Sequence, residues 1–268
     1  MKRSALLICT LSIIFASGFA AGDYANPPMW EQSMNFSHQS WDFMEPEYTA
    51  PEGPALPLNP DGVPEPINEF GDAALIETSF DVPPEYQHLI AMGLVGWMPE
   101  VEYLVTPRKG YYGGMGHTHL KFHVPAAAAQ IGCDNLVWVQ MTYFGRMDGA
   151  EPFALAAAHD ETMADSAGIE TVSVNTEVLD ETAGSIGRWY RTTGIFRYSD
   201  KNNGLYLKLS VFRYPPDAEH TMGGSAMVDQ VDIDTKTVSD YDFNGDDIVD
   251  LADFAILSSQ WLSSTAIQ

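Results

Sequence analysis

Basic residues are scarce in this chain. Lysine and arginine total 13 against 37 aspartates and glutamates, which gives a formal net charge of −24 at neutral pH over 268 residues. A protein that binds nucleic acid or an anionic membrane needs a positively charged surface, so this balance disfavours both classes of partner. The acidic surplus instead favours solubility and the binding of divalent cations.

Long hydrophobic runs are also missing, apart from one at the N-terminus. Lys2 and Arg3 precede an apolar run from Ala5 to Phe15, and small residues follow up to Gly22. This pattern is typical of a secretory signal peptide, and the run is shorter than the roughly 20 residues that a membrane-spanning helix requires. We therefore expect residues 1–22 to be a signal peptide, the protein to be secreted or held at the cell surface, and no segment to span a membrane.

Cysteine is almost absent. The chain has two, and Cys9 lies inside the expected signal peptide. The mature chain then keeps one cysteine, Cys133, and has 11 basic and 37 acidic residues, a net charge of −26. A single cysteine excludes an intramolecular disulfide. Cys133 precedes a strongly apolar segment, which favours a buried thiol over a nucleophile.

Motifs for covalent catalysis are missing as well. The segment closest to a nucleophile elbow, Ala-Gly-Ser-Ile-Gly at 183–187, lacks the leading glycine and does not lie between a strand and a helix. Carboxylate pairs for glycoside cleavage stay open, because 37 acidic residues supply many pairs whose separation is invisible in the sequence. No residue is therefore predicted to be catalytic.

Proline is concentrated in one part of the chain. Nine of the 17 prolines lie within residues 23–70, which excludes helix over most of that segment. Within it, the alternating residues from Phe36 to Phe43 predict a first or edge strand that packs Trp41 or Phe43 onto the core. The rest is predicted to be an irregular proline-rich N-terminal arm, with disorder as the alternative.

Residues 71–235 have the pattern of an all-β domain. Short runs rich in β-branched and aromatic residues alternate with turn residues such as those at 113–114 and 200–204. The pattern predicts a mainly β fold, an antiparallel jelly-roll-like sandwich, in which only Phe153 to Asp165 is expected to be a short helix. The predicted strands are Ala74–Phe80, Glu102–Thr106, Thr118–Val124, Leu136–Phe144, Thr171–Asn175, Gly187–Tyr198, Gly204–Tyr214 and Ala226–Asp234.

The most specific signal is an acidic loop near the C-terminus, followed by apolar residues at helical spacing. Calcium loops of the EF-hand type need oxygen ligands at alternate positions, a backbone carbonyl in the middle and a closing carboxylate at the twelfth residue. Residues 236–268 are therefore predicted to form a small calcium loop-helix module, with calcium as the cofactor. The expected ligands are Asp242, Asn244, Asp246, the carbonyl group of Ile248, Asp250 and Asp253.

This loop and the segment after it, about residues 240–262, resemble a dockerin repeat. The resemblance implies a secreted bacterial protein linked to polysaccharide degradation, whose calcium-dependent module docks onto a cohesin-like partner. The chain differs from that family in three ways. Asp247 stands where the sharp turn of the loop favours glycine, Leu251 and Ala252 replace a small hydroxylated pair, and there is no second repeat. Calcium binding is thus better supported than cohesin docking.

A histidine pair lies beside the predicted strand Thr118–Val124. On a strand, His117 and His119 share one face about 7 Å apart, close enough to bind one metal ion, while His123 is two pleats further along. The alternative is an ordinary polar face of an amphipathic strand.

Two predicted strands carry aromatic and hydrogen-bonding residues on the side opposite their apolar face. A sugar ring can stack its C–H face on an aromatic ring while polar neighbours bond its hydroxyl groups. The ending 227–235 also resembles the last strand of carbohydrate-binding jelly-roll modules. The alternative is that these faces pack against other parts of the fold. The predicted ligand-binding residues are Trp138, Gln140, Tyr206, Lys208 and Phe212.

Together these features predict a secreted, non-catalytic protein. Its sandwich would bind a polysaccharide or a protein, and its calcium-dependent module would attach it to a cohesin-like or cell-surface protein. Two alternatives stay open: a polysaccharide-active hydrolase or lyase with its site in the sandwich, and a structural cell-surface protein.

Overall fold

The structure, a computed structural model, is mainly β. It describes residues 36–43, 73–81, 88, 92, 95–98, 108, 110–114, 116–126, 133–145, 153–179, 187–199, 204–212, 226–239, 251 and 254–255. Within these residues there is no helix long and apolar enough to cross a membrane. The strands are β1 Phe36–Trp41, β2 Ala74–Asp81, β3 Val95–Met98, β4 Tyr111–Gly114, β5 His117–Val124, β6 Cys133–Gly145, β7 Phe153–Ala158, β8 Ile169–Val178, β9 Arg188–Tyr198, β10 Leu205–Val211 and β11 Ala226–Ser239.

The strands form two antiparallel sheets. The seven-stranded sheet has the order β3-β4-β11-β6-β9-β8, and β1 pairs with β11 outside this path. The strands β4 and β1 pair with successive parts of β11, residues 226–228 and 231–236. The four-stranded sheet has the order β2-β5-β10-β7. The predicted mainly β, sandwich-like architecture is therefore confirmed.

The main core lies between the two sheets. Alternate residues of β6, namely Val137, Val139, Met141 and Tyr143, are buried in one cluster with the inward residues of β5 and β10. Trp41 from β1 joins this cluster and meets the ring of Phe122 edge-on, with 4.8 Å between centroids. The period of two along each strand places these apolar residues on one face, and the sheets cover that face for each other.

A second apolar cluster lies on the outer face of the seven-stranded sheet. It consists of Tyr111, Phe144, Trp189 and Met227, which come from four adjacent strands. The guanidinium group of Arg108 lies 5.1 Å from the ring centroid of Trp189 and forms a 2.6 Å ion pair with Asp229. Arg108 thus joins this cluster to the backbone irregularity between Val228 and Gln230 in β11.

The predicted short helix at Phe153–Asp165 is wrong. Residues 153–158 form β7, and 159–168 form turns and irregular structure before β8. The alanine-rich sequence favours a helix locally, but Phe153 and Leu155 face the core and β7 pairs along the edge of β10. A Cβ atom on Gly194 would collide with the side chain of Leu155, so the glycine in β9 leaves room for β7. Tertiary pairing therefore overrides helix propensity here.

Most predicted strands are present, with ends shifted by a few residues. The arm contributes β1, with both Trp41 and Phe43 buried, and β11 continues to Ser239, beyond the expected domain end at 235. The predicted strand Glu102–Thr106 lies outside the described residues. The short strands β3 and β4 were not predicted, because glycine interrupts the hydrophobic alternation in both.

Two cross-strand glycines, Gly96 and Gly113, have similar positive φ angles, of 129° and 144°. A Cβ atom on Gly113 would collide with the carbonyl oxygen of Ala226 and lie 2.8 Å from Oγ1 of Thr118, whereas nothing lies within 4 Å of such an atom on Gly96. Thr118 donates a 2.8 Å hydrogen bond to that carbonyl, which links the two sheets. Gly113 is therefore required both for its φ angle and for this close approach.

We expect Gly113→Ala to lower the free energy of unfolding by about 3 kcal/mol or more, because it adds a backbone clash to an unfavourable φ angle. The matched control, Gly96→Ala, has the φ angle without the clash and should cost about 1–2 kcal/mol. Urea denaturation of both variants measures the difference. Equal losses would show that the contact at Gly113 does not constrain the two sheets.

Candidate functional site

The five predicted ligand-binding residues are divided between the two outer faces of the sandwich. Trp138 and Gln140 lie on the outer face of the seven-stranded sheet, where they are only 2% and 1% exposed. Tyr206, Lys208 and Phe212 lie on the outer face of the four-stranded sheet and are half-buried. The five residues therefore do not form one surface, and only those of β10 and its end reach solvent.

The outer face of the four-stranded sheet carries an aromatic and basic row. Tyr206 and His123 are register partners, and their rings lie 4.8 Å apart between centroids. One pleat further along, Lys208 is the register partner of Lys121, which is ion-paired with Glu77 from β2. The sequence predicted the outward direction of Tyr206 and Lys208 but not their histidine and lysine neighbours on β5.

On the side of this row next to β7, the outer face of the sheet is nearly flat. Strand β7 is the neighbour of β10, and its outward residues beside Ser210 and Lys208 are Ala154 and Ala156, both exposed. Such small side chains do not rise above the sheet next to the longer residues of β10. A planar ligand can therefore lie across β7 and reach the polar groups of β10.

The far end of the same face carries the histidine pair. The ring centroids of His117 and His119 are 6.5 Å apart, and both rings meet Phe212 edge-on, at 5.3 Å and 6.2 Å. Nδ1 of His119 lies 2.8 Å from Oγ of Ser210 on β10. Among the residues that the structure describes, no group of three or more histidine, cysteine, aspartate or glutamate side chains is arranged to bind a metal ion.

The outer face of the seven-stranded sheet instead contains a polar network whose carboxylates are buried. Nδ1 of His38 in β1 lies 2.6 Å from a carboxylate oxygen of Asp234 in β11. The amide nitrogen of Gln230 donates to both carboxylate oxygens of Asp232, at 2.9 Å and 3.0 Å, and to Ser40 at 3.3 Å. Asp232 and Asp234 are 1% and 0% exposed, so these contacts stabilise the pairing of β1 with β11 and do not offer a ligand surface.

Burial raises the pKa of Asp232 to about 6, and the negative charge of Asp234 adds to that effect. His38, together with the hydrogen bonds from Ser40 and Gln230, acts in the opposite direction and lowers the pKa. Sequence reasoning missed this network. The signal was the spacing of Asp232 and Asp234, which puts both side chains on one face of a strand.

The calcium loop lies almost entirely outside the described residues, and so do all six predicted ligands. The structure describes three residues of the predicted C-terminal module, Leu251, Phe254 and Ala255, and all three are in helical conformation. The side chains of Leu251 and Phe254 are exposed, at 83% and 64%. The calcium module therefore stays a prediction.

Comparison of the chain with protein-family models, with curated proteins and with solved structures found no match. The functional argument therefore depends on the chemistry and geometry of the residues themselves.

The buried network predicts a pH effect. The folded-state pKa of Asp232, about 6, lies above the roughly 3.9 of an unfolded aspartate, so folded chains bind this proton more tightly. The contribution of Asp232 to stability is full below about pH 4 and is lost as the pH rises through 6. Asp232→Asn cannot ionise. We therefore expect the free energy of unfolding of this variant, relative to that of the wild type, to rise by about 2 kcal/mol when the pH is raised from 4.5 to 8.

Urea denaturation of wild type and variant at both pH values tests this expectation. The companion variant Ser40→Ala removes a hydrogen bond that lowers the pKa of Asp232, so it should move the pH midpoint upward. If the free energies of unfolding of Asp232→Asn and wild type differ by the same amount at pH 4.5 and at pH 8, the raised pKa of Asp232 is contradicted.

Proposed function

We propose that the protein is a secreted, non-catalytic binding protein whose sandwich takes a glycan on the outer face of the four-stranded sheet. The observation that carries this proposal is the half-buried row of Tyr206 and His123, next to Lys208 and the flat alanine edge of β7. An aromatic ring at the surface can stack on the C–H face of a sugar, and the neighbouring donors can bond its hydroxyl groups.

The charge of this face supports the same ligand class. Lys208 has no ion-pair partner among the described residues, and Lys121 is neutralised by Glu77. A lysine with its ammonium group available donates hydrogen bonds to hydroxyl or carboxylate oxygens. In a chain with a net charge of −24, this basic side chain makes the face suited to a neutral or acidic polysaccharide.

We further infer that the sandwich is jelly-roll-like and that residues 236–268 form a calcium loop-helix module for attachment to a cohesin-like or cell-surface protein. The ligand spacing from Asp242 to Asp253 supports calcium binding. Strand β11 ends at Ser239, so the expected loop follows the sheet almost directly. The exposed apolar residues Leu251 and Phe254 are suited to contact with a protein partner.

Glycan binding is tested by retention of the mature protein on a panel of insoluble polysaccharides, with reducing sugar measured in the supernatant. We expect retention without release of sugar, and a roughly threefold to tenfold weaker affinity in Tyr206→Ala through loss of ring stacking. Tyr206→Phe keeps the ring and should bind like the wild type. Val174→Ala changes an exposed residue on β8 and is the control.

Unchanged retention of Tyr206→Ala would contradict the assignment of this face. Release of reducing sugar would show that the protein is an enzyme and would overturn the non-catalytic proposal.

Calcium binding is tested by calorimetric titration of the mature protein. We expect Asp242→Ala to lose calcium binding and the calcium-dependent rise in melting temperature, because it removes the first ligand of the loop. Asp247→Gly should bind calcium more tightly than the wild type, because glycine adopts the sharp turn of such loops without strain. Equal calcium affinity in all three proteins would contradict the predicted loop.

A further inference from the structure

We propose that His117 and His119 form a binding site for a divalent transition-metal ion of the zinc type on the outer face of β5. This site is separate from the predicted calcium loop. It also does not depend on glycan binding at Tyr206, which lies at the other end of the same face.

The spacing of the two rings is close to that of a shared ion but wider. A zinc ion lies about 2.0–2.1 Å from a histidine nitrogen, which puts the ring centroid about 3 Å from the ion. Two imidazole rings on one tetrahedral ion then have centroids about 5 Å apart. The observed separation is 6.5 Å, so rotation of the two side chains has to bring the rings about 1.5 Å closer for both to bind one ion.

The rings are also held in orientation by their neighbours. Histidines that bind metals usually form a hydrogen bond through the second ring nitrogen, which fixes the tautomer and the ring plane. Ser210 provides such a bond to Nδ1 of His119, at 2.8 Å, and directs metal binding to Nε2. Phe212 packs edge-on against both imidazoles, at interplanar angles of 78° and 73°. These contacts keep the two rings side by side on one face of the sheet, so that metal binding requires only their closer approach.

The surroundings favour a cation with nitrogen ligands. Imidazole nitrogen prefers zinc, copper and nickel, whereas calcium and magnesium prefer oxygen ligands. His117 is only 9% exposed, which reduces the screening of its interactions by solvent. The acidic surplus of the whole chain attracts divalent cations to the surface.

The test is calorimetric titration of the calcium-saturated mature protein with zinc chloride at pH 7.5. We expect one zinc-binding event that is weakened at least tenfold in His117→Gln and in His119→Gln. The matched control is His123→Gln, which changes a histidine on the same face of the same strand, two pleats away. It should bind zinc like the wild type. Ser210→Ala keeps both imidazoles and should weaken binding by about tenfold, through loss of the orienting hydrogen bond.

A second measurement uses the wild-type protein and so does not depend on the folding of a variant. Copper ions with ascorbate oxidise the side chains that bind them, and mass spectrometry locates the oxidised residues. We expect oxidation at His117 and His119 that excess zinc suppresses. The proposal is overturned by zinc affinity that is unchanged in both glutamine variants, by an equal loss in His123→Gln, or by oxidation confined to other histidines.

Discussion

The pairing of β6 with β11 in a fixed register is the constraint on which the rest of the sandwich depends. A shift of one residue would exchange the inward valines of β6 for Trp138 and Gln140 and would turn the aspartates of β11 toward the core. The bulge at Asp229 is part of this constraint. It lets both Val228 and Val231 face the core, although they are three residues apart, and it leaves Asp232 facing outward. Arg108 fixes the bulge through its ion pair with Asp229.

The two outer faces carry similar residue types but differ in burial, and burial decides what each face can do. On the seven-stranded sheet Gln140, Asp232 and Asp234 are at most 1% exposed, so their polar groups depend on neighbouring side chains for hydrogen bonds, as Asp234 does on His38. On the four-stranded sheet His119, His123, Lys208 and Tyr206 are in partial contact with solvent, whereas His117 is 9% exposed. A charged or polar side chain that still reaches water can exchange that water for a ligand, whereas an enclosed one cannot do so without opening the fold.

The sequence predicted the parts of the fold that strict alternation controls. Strands β5, β6, β9 and β10 were expected within a few residues, because their apolar residues repeat every two positions. Alternation separates the two faces of a strand but does not tell which outer face another part of the molecule will cover. The sequence therefore predicted ligand binding by both Trp138 and Tyr206, although only Tyr206 reaches the surface. Strand β7 was missed because its alanines favour helix, and only the neighbouring β10 makes it a strand.

The acidic composition has a consequence at the edge of the seven-stranded sheet. Among the described strands, β8 ends the path of this sheet, and its valines Val172, Val174 and Val178 are about half exposed. A long apolar edge of this kind is a template for pairing with another chain. Glu170 and Glu177 lie on the same strand, and an antiparallel pairing of two copies that sets Glu170 opposite Glu177 would bring these carboxylates within about 5 Å. That distance is shorter than the roughly 8 Å screening length at physiological salt, so salt does not remove the repulsion. The glutamates of β8 therefore oppose edge-to-edge association in that register, and the ion pair of Glu177 with Arg191 of β9 offsets part of this repulsion.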